Sequence, residues 1–159
     1  YFLAANSDRN RLLSTAVEGV VLREQLRSLA GKVLVFLDTC YAGRAMGPAT
    51  RGATDINMLI NDLSSTENGV VTFASSTGRE ESQEDASWDN RAFTKALIEG
   101  LGATGAKARA DVTGKGVITT AALDLWVSER VKELTRGAQH PVMIRPPTVP
   151  DLPMFVVRN

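Results

Sequence analysis

Residues 33–43 read Val-Leu-Val-Phe-Leu-Asp-Thr-Cys-Tyr-Ala-Gly, and this stretch decides the interpretation of the fold. The apolar run Val33 to Leu37 predicts a strand that is covered on both faces, as in a parallel sheet flanked by helices. Asp38 ends the run, and the only cysteine of the chain, Cys40, follows two residues later. Open α/β sheets bind their ligands beyond the carboxyl ends of the strands. The sequence therefore predicts a site at this edge of the sheet, with a thiol in it.

Helices and strands alternate on both sides of this stretch. The apolar patterns predict a second buried strand at 70–74 and short extended segments at 142–144 and 154–157. They also predict helices at 20–30, 92–101 and 120–136, with a weaker one at 56–63. Asn90 or Asp89 is the expected N-cap of the second helix, and Thr119 or Thr120 that of the long one. The alternation predicts the α/β class, with helices on a mostly parallel sheet.

The composition excludes several classes of protein. In 159 residues, 18 Lys and Arg balance 18 Asp and Glu, so there is no net charge to attract nucleic acid or an anionic membrane. No apolar run approaches the roughly 20 residues that span a bilayer. One Cys and one His cannot form a Cys/His zinc cluster, and we expect no bound metal or other cofactor. These counts predict a soluble globular domain whose partner is neither nucleic acid nor membrane.

Cys40 has two interpretations when it is taken alone. A thiol becomes a strong nucleophile once a neighbouring base lowers its pKa. A buried free cysteine that packs as a small apolar residue is the more common case. The surrounding motif, Asp38-Thr-Cys40-Tyr-Ala-Gly43, favours the nucleophile.

This motif resembles the nucleophile motif of caspase-like cysteine peptidases (peptidase C14), above all the Asp-x-Cys-His-Ser-Gly of the bacterial metacaspase-like branch. Tyr41 and Ala42 replace the His and Ser of that pattern, and Arg91 replaces the Gly that usually precedes Ala-Phe-Thr. Further similar segments follow in the family's order along nearly the whole chain: Phe73 to Ser76, Gly78 to Glu84, Ala92 to Leu97, Gly116 to Thr119 and Gly137 to Pro141. The resemblance implies a caspase-haemoglobinase fold and a cysteine endopeptidase.

The resemblance also implies a domain organisation. The chain opens Tyr1-Phe2-Leu3, without Met, and is similar to the part of a caspase-like domain that follows the catalytic His. We expect a single domain made of a nucleophile-bearing part (1–42), a flexible linker loop (43–68) and a C-terminal part (69–159). The His of the Cys–His dyad would then come from an N-terminal segment of the same protein. His140 lies far along the chain from the family's base and is interpreted as structural or exposed to solvent.

Charge predicts the specificity of such a peptidase. Caspases hold a substrate Asp with a Gln two residues before the nucleophile and with an Arg after the next strand, and the equivalent positions here carry Asp38 and Glu84, with Glu81 as a substitute. Two carboxylates in one pocket repel each other unless a cation joins them, and a guanidinium can bond to both. The sequence predicts cleavage of peptides and proteins after Arg, and less well after Lys. Asp38 as the cap of a turn and Glu84 as a solvated acid are the alternatives.

The same specificity makes the linker a candidate for self-cleavage. The loop carries Arg44 and Arg51, the latter followed by Gly, in a stretch of the kind that proteases cut. Caspases mature by cutting the corresponding linker, so the resemblance implies autoprocessing after Arg51 or Arg44. An ordinary solvent-exposed loop is the alternative.

Two other functions compete with the peptidase. A catalytically inactive caspase-fold scaffold is consistent with the absence of a family-type His and with the change at Tyr41 and Ala42. A calcium-responsive binding module rests only on Asp111 and the loop that follows it, which lacks most of the acids of an EF-hand. Related metacaspases often need calcium, and this sequence leaves a calcium requirement open. A cytoplasmic location is the default expectation, although the lack of a signal-peptide pattern in this stretch gives no information about location.

Overall fold

The computed structural model describes residues 2–3, 6–8, 10–38, 60–61, 63, 69–76, 80, 83–85, 88, 91–103 and 105–157. The strands are β1 (Phe2–Leu3), β2 (Ala16–Val17), β3 (Val33–Leu37), β4 (Val70–Ala74), β5 (Val117–Thr119), β6 (Val142–Ile144) and β7 (Pro153–Val156). The helices are α1 (Leu12–Thr15), α2 (Gly19–Arg27), α3 (Ala92–Leu101) and α4 (Thr120–Leu134). Of the helix predicted at 56–63, the structure describes Ile60, Asn61 and Leu63, which are helical.

The main sheet has the strand order β3-β4-β6, and its central strand β4 is buried along its whole length. β3 runs parallel to β4, from the pair Val33 and Val70 to the pair Leu37 and Ala74. β6 runs antiparallel to β4. The α/β class is therefore confirmed, whereas the described part of this sheet is mixed and not mostly parallel. Apolar patterning indicates which residues are buried, but it carries no information about strand direction.

β3 is less covered than its sequence predicts. Among the described residues it pairs only with β4, and the exposed fraction of Phe36 is 38%. The ring of Phe36 stacks on that of Phe73 in β4, with centroids 5.0 Å apart. Leu22 and Leu26 of α2 pack near the start of β3, around Leu63 and Val70, but α2 has no fully buried residue. The expectation of a strand buried on both faces is wrong for the part of the chain that the structure describes.

Helices α3 and α4 pack against each other and together supply much of the core. The main cluster joins them to the sheet: Val71, Phe73, Ala92, Phe93, Ala96, Ala108, Ala110, Ile118, Leu123, Val127 and Val131. Trp126 of α4 packs at its edge and donates from Nε1 to the carbonyl of Ala96, at 2.9 Å. Arg130 of α4 bonds to Glu99 of α3, at 2.6 Å, and this bond lowers the pKa of Glu99 below its ordinary value. Both contacts fix the two helices to each other.

The start of α4 has two caps. Thr119 is the N-cap, as the sequence predicts, and its side chain accepts a hydrogen bond from the backbone N–H of Ala122 at 3.2 Å. The carboxylate of Asp151 accepts from the hydroxyl of Thr120 at 2.6 Å and from the N–H of Ala121 at 2.8 Å. Asp151 lies just before β7, which pairs antiparallel with β5. The second cap therefore attaches the C-terminal segment to the helix and satisfies N–H groups that the helix itself leaves unbonded.

None of the helices in the described ranges is long and apolar enough to cross a membrane.

Candidate functional site

The carboxyl ends of the parallel strands β3 and β4 lie beside the first turn of α3. The N–H of Ser75, directly after β4, donates to the carbonyl of Leu37 at the end of β3, at 2.9 Å. Asp38 follows Leu37 and leads towards Cys40. Cys40 itself lies outside the described residues, as do Glu81, Arg44 and Arg51 and the two junctions predicted at 42/43 and 68/69. The site is therefore built here from the residues that surround Asp38.

Two residues of α3's first turn hold Asp38 in place. Its carboxylate Oδ2 accepts a hydrogen bond from the hydroxyl of Thr94 at 2.6 Å. Its backbone carbonyl accepts a hydrogen bond from the guanidinium Nη1 of Arg91 at 3.0 Å. Arg91 is the N-cap of α3 and Thr94 is the third residue of the helix, so one helix end makes both bonds. The backbone at Asp38 is thereby fixed to a helix that packs in the core.

One oxygen of Asp38 is buried without a partner. Oδ1 is inaccessible to solvent, and none of the described residues lies within hydrogen-bonding distance of it. A buried carboxylate oxygen without a donor costs more free energy than a solvated one. The carboxyl group therefore has capacity for a further donor on the Oδ1 side.

Glu84 reaches the same guanidinium from the other direction. The backbones of Glu84 and Arg91 form an isolated antiparallel bridge, and the N–H of Ala92 donates to the carbonyl of Gln83 at 3.1 Å. Arg91 Nε bonds to Glu84 Oε1 at 2.5 Å. The exposed fractions of these side chains are 33% for Arg91 and 60% for Glu84, so the pair lies at the surface.

The structure places Arg91 between the two predicted residues, but only one of their carboxylates contacts its guanidinium. Glu84 presents a carboxylate to it, and Asp38 presents its backbone carbonyl while its carboxylate bonds to Thr94. Oxygen acceptors on two sides of a planar guanidinium are the arrangement that arginine recognition uses. Glu84 is exposed but paired, which differs from the solvated acid considered as its alternative. The expectation of Asn90 or Asp89 as the N-cap of α3 is wrong, because Arg91 is the N-cap and makes no side-chain cap bond.

Gln139 connects two backbone segments of the site and was not predicted from the sequence. It is fully buried, its Oε1 accepts from the N–H of Gln83 at 2.8 Å, and its Nε2 donates to the carbonyl of Ser75 at 2.8 Å. The amide thus joins the segment after β4 to the segment that carries Glu84. The hydrophobic pattern around Gln139 does not mark it as buried. The only signal that could have found it is its place in segment 137–141, which is similar to a segment of the caspase-like family.

His140 faces solvent beside this support. Its Nδ1 lies 2.9 Å from Glu80 Oε1, and its backbone N–H donates to Glu80 Oε2 at 2.7 Å. Its side chain is half exposed. This location agrees with the interpretation of His140 as a structural, solvent-facing residue.

The Asp111 loop is closed by its own backbone. The carboxylate of Asp111 accepts from the N–H groups of Lys115 and Gly116, at 3.2 and 2.9 Å. No group of three or more His, Cys, Asp or Glu side chains that could hold a metal ion is found among the described residues. The loop geometry is accounted for by these hydrogen bonds, without a ligand.

Comparison of the chain with protein-family models, with curated proteins and with solved structures found no match. The resemblance to caspase-like peptidases therefore rests on the residues quoted above and on their order.

Proposed function

We propose that this chain is the nucleophile-bearing part of a caspase-like cysteine endopeptidase that cleaves after Arg and, less well, after Lys. The observation that carries the proposal is a guanidinium held by the carboxylate of Glu84 and by the backbone carbonyl of Asp38, at the end of the strand that precedes Cys40 in sequence. The sequence predicted these two acids as the receptor for a basic side chain. A pocket that binds the chain's own arginine has the chemistry to bind a substrate arginine.

The proposed reaction uses Cys40 and a base from elsewhere in the protein. A His on an N-terminal segment of the same protein accepts the thiol proton, and the thiolate attacks the carbonyl carbon of the peptide. A thioester forms at Cys40, the C–N bond breaks, and the His returns the proton to the leaving amine. Water then hydrolyses the thioester. The backbone N–H of Cys40 is a candidate donor to the oxyanion.

Within the α/β class, we propose a caspase-haemoglobinase fold, which the parallel pairing of β3 with β4 supports. Such a fold places a nucleophile beyond the carboxyl end of β3, at the edge where parallel sheets hold their sites. Bacterial origin and a cytoplasmic location belong to the same proposal.

Self-cleavage in the 43–68 linker is the processing step that this specificity favours. We expect mass spectrometry of the purified protein to find a cut after Arg51 or Arg44. The Cys40→Ala variant should remain intact. An uncut linker in an enzyme that turns over peptides would remove autoprocessing from the proposal.

The test of the activity is hydrolysis of three fluorogenic peptides that end in Arg, Lys or Asp before the reporter. The intact protein is compared with its Cys40→Ala variant, with and without calcium. Cleavage after Arg that the variant loses is the expected result. Preferred cleavage after Asp would contradict the specificity, and equal turnover by the variant would contradict the role of Cys40.

A catalytically inactive scaffold is the second candidate, and two observations favour it. The proposed pocket is occupied by Arg91, and the chain's only His is paired with Glu80. A scaffold would hydrolyse none of the three peptides under any of these conditions.

A further inference from the structure

Arg91 occupies a helix position for which its side chain is poorly suited. N-caps are usually Ser, Thr, Asn or Asp, whose short side chains bond to the free N–H groups of the first turn. Arg91 is the N-cap of α3, and its side chain makes no such bond. It extends instead to Glu84 and to the carbonyl of Asp38, at 2.5 and 3.0 Å. The contacts of Arg91 therefore serve the acidic pocket and not the helix end.

We infer that Arg91 is a specificity-determining residue that acts as a built-in competitor of the substrate. Its guanidinium lies between Glu84 and Asp38, in the place that the basic side chain of a substrate needs. This inference rests on the proposed function, because it takes these two residues to be the receptor for that side chain. A substrate Arg must displace Arg91 before it binds, and this requirement raises the KM of the enzyme.

The position of the pair at the surface makes this displacement practicable. Arg91 and Glu84 are both partly exposed, and ion pairs of that kind are weak because water solvates the separated charges well. The backbone bridge to residue 91 also holds the main chain of Glu84, so the position of this segment does not depend on the ion pair. Displacement frees Glu84 Oε1 and the carbonyl of Asp38 for the guanidinium of the substrate. The pocket thus selects for cations that compete better than Arg91, which favours Arg over Lys because a guanidinium can bond to two acceptors at once.

The effect of removing Arg91 follows from this competition. Arg91→Ala removes the competitor and leaves both acceptors. We expect a guanidinium to bind the variant roughly 3- to 10-fold more tightly than it binds the wild type, the size set by a partly exposed ion pair. In catalysis the same change should lower the KM for an arginyl peptide by a similar factor and leave kcat nearly unchanged, since Arg91 does not contact the reacting atoms in this account.

The experiment is isothermal titration calorimetry of the intact protein with agmatine, a guanidinium on an alkyl chain without a carboxylate. Arg91→Ala is compared with Arg130→Ala, which loses an Arg–Glu pair of similar length, 2.6 Å, between α3 and α4. Only Arg91→Ala should gain affinity. The double variant Arg91→Ala/Glu84→Gln should lose the gain, because the acceptor is then neutral. Arg91→Lys preserves a cation beside Glu84 without the planar guanidinium, so its affinity for agmatine should rise by less. This variant tests the inference if circular dichroism shows that Arg91→Ala is poorly folded.

The outcomes separate this inference from the proposed function. Unchanged or weaker agmatine binding by Arg91→Ala overturns the inference, even if cleavage after Arg depends on Cys40. Tighter binding supports it, even if no peptide is cleaved. Cleavage after Asp that Arg91→Ala abolishes would overturn it as well, because Arg91 would then be a receptor for a substrate carboxylate.

Discussion

The carboxylate of Asp38 has a single side-chain donor among the described residues. Thr94 bonds to its Oδ2 at 2.6 Å, while Oδ1 is buried without a described donor. A carboxylate in this situation is sensitive to the loss of its one partner, since an unsatisfied buried acceptor costs more than a hydrogen bond normally contributes. Thr94 therefore positions the residue that leads into the nucleophile motif.

Thr94→Val tests this role. The substitution maintains the shape of the side chain and removes its hydroxyl, so we expect the free energy of unfolding to fall by about 1–3 kcal/mol in urea denaturation. Thr113→Val is the matched control, because the hydroxyl of Thr113 is exposed and its bond to Asp111 is long and therefore weak, at 3.4 Å. Equal stability of the two variants would show that the bond to Asp38 contributes nothing.

Gly100 of α3 packs tightly against Trp126 of α4. A Cβ at this position would lie 2.6 Å from Cδ1 and 2.8 Å from Nε1 of Trp126, closer than non-bonded atoms approach. The absence of a side chain at residue 100 therefore permits the indole to pack on α3 and to donate its N–H to Ala96.

Gly100→Ala should lower stability although alanine is the better helix former. Overpacking costs about 1–3 kcal/mol, which outweighs the gain of roughly 1 kcal/mol in helix propensity. We expect a lower melting temperature. Gly19→Ala, at a helix start with nothing within 4 Å, should be neutral or slightly stabilising. A stabilised Gly100→Ala protein would contradict the tight packing of Trp126.

At the scale of the elements, an ion pair makes the contact of α3 with α4 dependent on pH. The hydrogen bond from Arg130 lowers the pKa of Glu99, and the side chains of both are only about a quarter exposed. A carboxyl group whose pKa is lowered by folding contributes stability above its unfolded pKa. That stability is lost as the pH falls through the folded pKa.

Glu99→Gln should therefore destabilise the protein by about 1 kcal/mol at neutral pH and by much less at an acid pH below the lowered folded pKa of Glu99, where this carboxyl is protonated in both states. Thermal melts of wild type and variant at the two pH values measure the difference. The control is Glu129→Gln, whose exposed pair with Lys132 at 3.2 Å should contribute little at either pH. A loss that stays the same at acid pH would rule out a role for the charge of Glu99.

The elements were largely predictable, and the reasons are local. Continuous apolar runs specify β3 and β4, and the i, i+3, i+4 spacing of apolar residues specifies α3 and α4. Thr119 was predictable as a cap because its hydroxyl suits that position. The direction of β6 was not predictable, since antiparallel pairing with β4 results from the path of the chain after α4 and not from any residue of β6.

The candidate site was predictable only in part. Asp38 and Glu84 were chosen because their order along the chain matches a known pattern, and in the structure the backbone carbonyl of Asp38 and the carboxylate of Glu84 both bond to Arg91, while their role in binding a substrate stays a prediction. Arg91 was noted only as a replacement of glycine, because nothing local distinguishes an arginine that folds back on the chain from one that points to solvent. Gln139 was missed for a similar reason, since its partners Ser75 and Gln83 are distant in sequence.

At the scale of the whole molecule, Asp38, Arg91 and Glu84 lie together at the edge of the sheet where β3 and β4 end. The strand ends hold Asp38 and Ser75, Gln139 ties the Glu84 segment to them, and α3 connects the whole edge to the core. This arrangement predicts that a thiol-reactive reagent that carries a basic side chain modifies Cys40 preferentially. Because the chain has a single cysteine, any modified thiol is that of Cys40.

The most direct test is alkylation of Cys40 by peptidyl chloromethyl ketones that end in Arg or in Asp, followed by peptide mass spectrometry of the intact protein. In this reaction the thiolate displaces chloride and forms a thioether. We expect the arginyl reagent to label Cys40 at least 10-fold faster than the aspartyl reagent, and Glu84→Gln to remove most of that preference, because a guanidinium bonded to a carboxylate is a strong pair. Equal rates with the two reagents, or faster labelling by the aspartyl one, would contradict the account.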